Sequence, residues 1–315
     1  MSPRQSNISL IAANVLFGVS YTIMVDLLRE KISYQQLFTL LILVGAIVFV
    51  PLALTKLKGI KESLKDAPKL ILCSIITIYG WSYLTLMGSV HTTAINIAAL
   101  STLGPTVTIV AAAMQNTKDK RVKHLQPNFI RTLATPLLLL CIVVLIIFSD
   151  IKTTSSNDQI WGDTLVTFGV ISMGISTVVA KGMHREYGTL VLLGWYFAIG
   201  TLLIPFTVPN WWGGVVELFR MELDIRSKIE LLILPILDMV IPMYLLYRGS
   251  RNLTPLHTAL YRYIQPLIAF IILITNNLSH HTTLLPATKT LASTLVMTLI
   301  LLLLATFIMP RDETH

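Results

Sequence analysis

The chain has 315 residues, of which 54% are hydrophobic and only 13% are charged. A soluble domain carries about 25% charged residues, so this composition would leave large apolar patches on a water-facing surface and excludes the soluble class. The net charge of +8 comes from Lys and Arg in short clusters between long apolar runs, which is typical of membrane proteins and argues against nucleic-acid binding.

Ten apolar runs are each about 20 residues long, the length of a helix that crosses a bilayer. The first run has no small-residue cleavage site, which favours a membrane helix over a signal peptide. The predicted spans are residues 8–28, 33–54, 69–88, 92–114, 129–149, 161–181, 189–208, 229–248, 254–275 and 286–308. The sequence therefore predicts an all-α polytopic membrane protein.

Positive residues are unevenly distributed between the two sides of the predicted membrane. The termini and the loops after the even-numbered spans hold 16 Lys and Arg, the opposite loops hold seven, and Arg262 lies inside a span. Because positively charged loops stay on the cytoplasmic side, both termini are predicted to be cytoplasmic. We expect an integral multi-pass protein of the plasma (inner) membrane.

Two halves of the chain, residues 1–150 and 151–315, repeat the same landmarks in the same order. Those landmarks are Tyr83-Leu84, Gly88-Ser89 and Pro105, which recur after 161 residues, Phe17-Gly18-Val19, which recurs after 151, and Pro51, which recurs after 154. Because each half holds five spans, the second half is expected to enter the membrane upside down. Inverted repeats are typical of secondary transporters, which hold their substrate near the midplane between the repeats.

Several of these segments resemble a known family. Phe17-Gly18-Val19-Ser20 resembles the motif that opens EamA-type repeats, and the segments Gly88 to Ala113 and Asn252 to Phe270 resemble the fourth helix of each repeat. The chain is thus similar, over almost its whole length, to EamA-like transporters of the drug/metabolite transporter superfamily. The resemblance implies ten transmembrane helices in two inverted five-helix repeats around a central cavity.

Two charged residues lie inside predicted spans, where an unpaired charge costs several kcal/mol. At 1.5 Å per residue, Asp238 lies about 15 Å and Arg262 about 10 Å from the cytoplasmic side, depths that allow a direct pair. One interpretation makes Arg262 an anchor for a substrate carboxylate or phosphate, and Asp238 a proton acceptor or gate. The other makes the two residues a permanent ion pair that joins spans eight and nine.

Polar residues also recur at helical spacing on spans one and nine. On span nine, three of them lie within about 80° of one another, and on span one, two of them share a face. We therefore predict a substrate-binding cavity that is lined by Asn14, Tyr21, Asn96, His257, Tyr261, Arg262 and Gln265, with Asp238 in proton coupling or gating.

Recognisable catalytic and cofactor motifs are missing from the sequence. It contains no GxxxxGK[ST] loop and no HExxH motif, so we expect no ATP coupling, cofactor, metal or enzymatic activity. Cys73 and Cys141 lie in apolar runs, which favours buried thiols. The sequence predicts a secondary transporter or exporter that moves a small organic metabolite, anionic or zwitterionic such as an amino acid, by alternating access. The alternatives are a multi-span membrane sensor and an intramembrane enzyme without a recognisable motif.

Overall fold

The computed structural model describes residues 3–29, 32–92, 94–101, 103–116 and 157–251, and part of the ninth predicted span. That part, called the ninth-span residues below, consists of residues 258–259, 261–265, 267–269, 271–272 and 275, and residue 253 precedes it. Every regular element within the described residues is helical. The all-α prediction is therefore confirmed for this part of the chain.

The first two helices are joined by a short connection. Helix α1 spans Pro3–Arg29 and α2 spans Tyr34–Leu54. At the start of α2, the Ser33 hydroxyl accepts a hydrogen bond from the Gln36 amide at 3.2 Å, and the Gln36 side chain accepts one from the Ser33 amide at 3.0 Å. This capping box satisfies two backbone donors and fixes where the second span begins.

The third helix runs from Leu57 to Ser89 and changes its winding along the way. It consists of α3 (Leu57–Ser63), a 3-10 turn (Leu64–Asp66), α4 (Ala67–Ile75), a π-helical segment (Ile76–Tyr83) and α5 (Leu84–Ser89). The connection predicted between spans two and three, residues 56–69, is therefore mostly helical. Pro68 is compatible with this because it lies in the first turn of α4, where its missing N–H leaves no hydrogen bond unmade.

The remaining helices follow in chain order. They are α6 (Ala94–Ser101), α7 (Leu103–Asn116), α8 (Asn157–Tyr187), α9 (Thr189–Thr207), α10 (Trp211–Arg220), α11 (Ile225–Pro235), a second π-helical segment (Ile236–Val240) and α12 (Ile241–Ser250). The turn from α8 to α9 depends on Gly188, whose φ of 86° is rarely adopted by residues with a side chain.

Six helices among the described residues are long and apolar enough to cross a membrane. They correspond to predicted spans one, two, three, six, seven and eight. Within the fourth predicted span, residues 94–101 and 103–114 are helical, in α6 and α7. Predicted spans 129–149 and 286–308 lie outside the described residues, so the total of ten spans stays a prediction.

Helices of the two halves pack against each other reciprocally. The first helix, α1, packs against α11 and α12 of the second half, whereas α8 packs against α5 and the π-helical segment Ile76–Tyr83 of the first half. The second helices of the two halves, α2 and α9, pack against each other. Each half therefore places its first helix against the third helix of the other half.

These reciprocal contacts depend on two glycines, which occupy equivalent positions in the two repeats. A Cβ atom on Gly88 would lie 2.7 Å from the carbonyl oxygen of Gly162 on α8, and a Cβ atom on Gly249 would lie 3.0 Å from the carbonyl oxygen of Ser6 on α1. Residues without a side chain let helix backbones approach this closely. The 161-residue offset in the sequence thus corresponds to equivalent positions in the packing.

Both third helices also contain a π-helical segment at nearly the same repeat position. Ile76–Tyr83 and Ile236–Val240 begin 160 residues apart. Segments of this kind occur mostly at functional positions in helices. Asp238 lies in the second segment, and Thr77 occupies the equivalent position in the first.

Candidate functional site

A hydrogen-bonded network joins α1 to the ninth-span residues in the interior of the bundle. The Gln265 side-chain amide donates to Asn14 Oδ1 at 2.6 Å, and the Tyr21 hydroxyl donates to Gln265 Oε1 at 3.4 Å. The Asn14 amide in turn donates to the Leu10 carbonyl oxygen at 2.6 Å. All three side chains are buried, so three of the predicted cavity residues meet at one place between the halves.

Gly18 allows the ninth-span residues to approach α1 closely enough for this network. A Cβ atom at this position would lie 2.7 Å from the Gln265 carbonyl oxygen and 2.7 Å from Ile268 Cβ. Real side chains do not tolerate contacts of this length without a shift of the backbone. The glycine of the Phe17-Gly18-Val19 motif is therefore required by the packing around Asn14, Tyr21 and Gln265.

Asp238 lies outside this network, at the contact of α1 with the second π-helical segment. Its carboxylate accepts a hydrogen bond from the Ser20 hydroxyl at 2.6 Å, and the Phe17 carbonyl oxygen, 3.0 Å from Ser20 Oγ, is an alternative acceptor for the single hydroxyl proton. Asp238 is 7% exposed. The carboxylate is thus held by a neutral donor on the first helix of the other half.

Arg262 is held by a different helix. Its Nη2 donates to the Thr177 hydroxyl on α8, and the residue is 2% exposed. Asp238 and Arg262 form no ion pair among the described residues. The permanent ion pair considered from the sequence is therefore not formed in this conformation, because each charged group has a hydroxyl partner on a different first helix.

Asn96 belongs to a second polar cluster, formed by Asp163, Thr92 and Asn96. The Asn96 amide donates to the two carboxylate oxygens of Asp163 at 3.1 and 3.3 Å, and the Thr92 hydroxyl donates to the same carboxylate. Asp163 is 6% exposed. The structure therefore places Asn96 against α8 rather than in the network around Asn14 and Gln265.

Asp163 was missed by the sequence reasoning. It lies only two residues inside the predicted span 161–181, where a carboxylate is naturally taken for the polar end of a helix. The available signal was Asn157-Asp158, residue types that favour helix N-termini and that precede the predicted span. Both belong to α8, so Asp163 lies at least about 9 Å along this helix at 1.5 Å per residue. A longer sixth span would have made it a third buried charge to explain.

Tyr261 and His257 are the two remaining residues of the predicted cavity. Tyr261 is partly buried and packs against the hydrophobic core. His257 lies outside the described residues. Neither has a described contact with the network of Asn14, Tyr21 and Gln265, so their place in the cavity stays a prediction.

An open groove of about 1070 Å³ lies at the ends of α2, α8 and α12, on the side predicted to be cytoplasmic. The charged residues that line it are Lys56, Lys58, Glu62, Glu186, Arg248 and Arg251. Beside it, Lys65 donates a hydrogen bond to Glu186 at 2.6 Å and holds the pKa of Glu186 below its usual value. The basic residues of the positively charged side thus border a solvent-filled depression.

Comparison with known proteins identifies the fold and the family. A protein of known crystal structure, 13% identical, aligns over 98% of this chain and 100% of its own with a TM-score of 0.60, which shows a shared fold alone. No curated protein matches the chain by sequence. The EamA-like transporter family matches it twice, at residues 5–118 and 160–275, which together make up more than two thirds of the chain. The family consists of membrane transporters rather than enzymes. This integral membrane protein therefore belongs to the EamA-like transporter family, within the drug/metabolite transporter type.

Proposed function

We propose that this transporter moves a small organic metabolite, anionic or zwitterionic such as an amino acid, by alternating access and without ATP. One observation carries the proposal: the two halves pack reciprocally, with a buried network of Asn14, Tyr21 and Gln265 at their contact. Secondary transporters hold their substrates at such contacts between repeats.

Alternating access follows from the equivalent roles of the two halves, residues 1–150 and 151–315. With five spans each, the halves have opposite orientations, so the contact of α1 with α12 and the contact of α8 with α5 face opposite sides of the membrane. Loosening one contact while the other stays closed exposes the region between them to one side at a time.

The network can exchange its internal hydrogen bonds for hydrogen bonds to a solute. When the ninth-span residues move away from α1, Asn14 Oδ1, the Gln265 side-chain amide and the Tyr21 hydroxyl lose their partners together, whereas the Asn14 N–H group keeps the Leu10 carbonyl oxygen. A solute that supplies matching donors and acceptors restores these bonds, whereas an apolar molecule leaves buried polar groups unpaired. His257 and Tyr261 complete the proposed cavity lining, whereas Asn96 binds Asp163 on α8 in this conformation.

Asp238 is proposed to couple a proton to this cycle. A proton on its carboxylate converts an acceptor of the Ser20 hydrogen bond into a group that can also donate. Proton occupancy would therefore change the contact between α1 and the second π-helical segment, which is one of the two reciprocal contacts. Transport in this scheme responds to a proton gradient.

Purified protein in liposomes tests the proposal, with a panel of radiolabelled amino acids and organic acids, with and without an imposed proton gradient. We expect saturable uptake of at least one solute, and about tenfold lower uptake for Asn14→Ala, since a lost hydrogen bond to a charged or polar solute has this effect. Asn7→Ala, two turns earlier on α1, is the matched control and should behave like the wild type.

Two results would contradict the proposal. The first is equal uptake by the Asn14→Ala and Asn7→Ala variants when both are folded and inserted. The second is an absence of uptake of every solute in the panel by wild-type liposomes, in either gradient condition.

A further inference from the structure

A small, partly open cavity lies beside Arg262, where α8, α12 and the ninth-span residues meet. Its volume is about 10 Å³, which is room for about one water-sized group. The polar side chains that line it are Thr177, His184, Tyr247, Ser250, Thr258 and Arg262. Hydroxyl and imidazole groups from three parts of the chain therefore converge on one guanidinium.

The guanidinium of Arg262 is buried and only partly paired. Its Nη2 donates to Thr177, whereas Nε and Nη1 have no hydrogen-bond partner among the described residues. Asp238, the nearest candidate counter-ion from the sequence, is bonded to Ser20 instead. A permanently charged group in a dry interior is strongly unfavourable unless an anion accompanies it.

We propose that Arg262 and this cavity bind the carboxylate or phosphate group of the transported solute. This inference rests on the proposed transport function and specifies its substrate class. A guanidinium has five N–H donors arranged as planar forks that match two oxygens of such a group. Whichever Nη2 proton Thr177 accepts, one fork of two parallel donors stays available for the anion.

The size of the cavity links anion binding to helix movement. With a volume of about 10 Å³, the cavity accommodates about one oxygen-sized group, whereas a carboxylate presents two oxygens. Binding of the whole group requires the ninth-span residues to move away from Thr177 on α8. An occupied site therefore favours a conformation in which these elements are further apart, as an alternating-access cycle needs.

A binding experiment on the purified full-length chain in detergent tests this site without any need for transport. The thermal denaturation midpoint is measured at constant ionic strength with added sodium acetate, sodium phosphate, sodium chloride or acetamide. We expect acetate or phosphate to raise the midpoint of the wild type. Neutral acetamide, which has the shape of acetate, and spherical chloride should leave it unchanged.

Two substitutions assign the effect to Arg262. Arg262→Lys keeps the charge and removes the planar fork, so the apparent affinity for the stabilising oxyanion should fall about tenfold or more. Arg226→Lys, at an exposed position on α11, is the matched control and should keep the wild-type affinity. Because the solute series uses wild-type protein, the proposal stays falsifiable if Arg262→Lys fails to fold.

Four results would overturn the anion site. They are no shift of the wild-type midpoint with acetate or phosphate, an equal shift with acetamide, unchanged affinity in Arg262→Lys, and a shift with chloride alone, which would indicate a resident inorganic anion. The outcome is separable from that of the proposed function. Arg262-dependent binding without uptake by liposomes would retract transport and keep the site. Uptake confined to neutral or cationic solutes would retract the site and the anionic or zwitterionic substrate class, and would keep transport by alternating access.

Discussion

One buried carboxylate lies at a reciprocal contact and another lies beside the other reciprocal contact, and the two are held by different partners. Asp238, at the contact of α1 with the second π-helical segment, accepts a hydrogen bond from Ser20. Asp163, at the contact of α8 with α6, accepts hydrogen bonds from both Thr92 and Asn96. The same pattern of helix packing therefore contains two chemically different acidic sites.

This difference indicates that one carboxylate positions helices, whereas the other can take up and release a proton. Asp163 is the acceptor for two side chains that precede and begin the fourth predicted span, so losing its charge would leave donors without acceptors. Asp238 has fewer fixed partners, so a proton can be added at a smaller cost in hydrogen bonds. Of the two, Asp238 is the better candidate for coupling, and Asp163 the better candidate for holding α6 against α8.

The largest effect we expect is a difference in thiol labelling, because the two reciprocal contacts are predicted to face opposite sides of the membrane. In a variant without Cys73 and Cys141, a cysteine replacing Glu62 should react only with a membrane-permeant thiol reagent in intact cells, because its helix end is predicted to be cytoplasmic. A cysteine replacing Asp158, at the start of α8, should also react with an impermeant reagent. Both original side chains are exposed, so access is decided by the membrane.

This labelling experiment has its own control and a clear contrary result. After the membrane is permeabilised, both positions should react with the impermeant reagent. Ser63, one residue after Glu62, would be a poor choice, because it is buried and its hydroxyl accepts a hydrogen bond from Trp195 at 2.9 Å. Labelling of the Glu62→Cys variant from outside would reverse the predicted orientation.

The next effect concerns the close approach of the ninth-span residues to α1. Gly18→Ala should lower the free energy of unfolding by about 1–3 kcal/mol, because the added Cβ meets the Gln265 carbonyl oxygen and the Ile268 side chain. Gly182→Ala is the matched control on α8, since its Cβ would meet no described atom within 4 Å. It should be neutral or stabilising by up to about 1 kcal/mol. Equal denaturation midpoints for the two variants would show that α1 does not need a glycine there.

An effect on stability of similar size distinguishes the two carboxylates directly. Asp163→Asn should destabilise the protein by about 1–3 kcal/mol, because an amide cannot accept from Thr92 and Asn96 as a carboxylate does. Asp238→Asn retains an oxygen for Ser20, so its cost should be below about 1 kcal/mol. Thermal denaturation measures both.

In transport, Asp238→Asn should have the larger effect of the two variants, the opposite of their order in stability. Asp238→Asn should abolish the dependence of uptake on the proton gradient, whereas folded Asp163→Asn should retain it. Loss of the gradient dependence in Asp163→Asn alone would exchange the roles assigned to the two residues.

Much of the fold and part of the site could be predicted from the sequence, for identifiable reasons. Helical periodicity places Asn14 and Tyr21 on one face, and the repeat offset pairs Gly88 with Gly249, because both patterns depend only on positions along the chain. Contacts between helices that are distant in sequence, such as Arg262 with Thr177, depend on how the helices rotate and cross. The spacing of residues within one segment does not specify how two helices rotate and cross. Depth in the membrane alone therefore made an Asp238–Arg262 pair as reasonable an expectation as the contact of Arg262 with Thr177.

The smallest effect concerns Asp224 and Glu186, two exposed carboxylates that lie outside the spans at opposite ends of the bundle. Hydrogen bonds from Ser227 hold the pKa of Asp224 below its usual value, and the hydrogen bond from Lys65 does the same for Glu186. Because both pKa values are lower in the folded protein, each group stabilises the fold above its usual pKa. That contribution is lost as the pH falls through the lowered value.

Salt should separate these two carboxylates, because their partners differ in charge. Raising the ionic strength from about 0.1 M to about 1 M weakens the exposed Lys65–Glu186 pair, whereas the bonds from Ser227 to Asp224 depend mainly on the local geometry of a helix cap. Glu186→Gln should therefore lower the denaturation midpoint slightly at low salt and not at high salt. Asp224→Ala should lower it at both salt concentrations near neutral pH, and the difference from the wild type should shrink as the pH falls through the lowered pKa of Asp224. If the Asp224→Ala difference instead persists at acidic pH, the charge of the cap contributes nothing, and the two ends of the bundle do not differ in the way proposed.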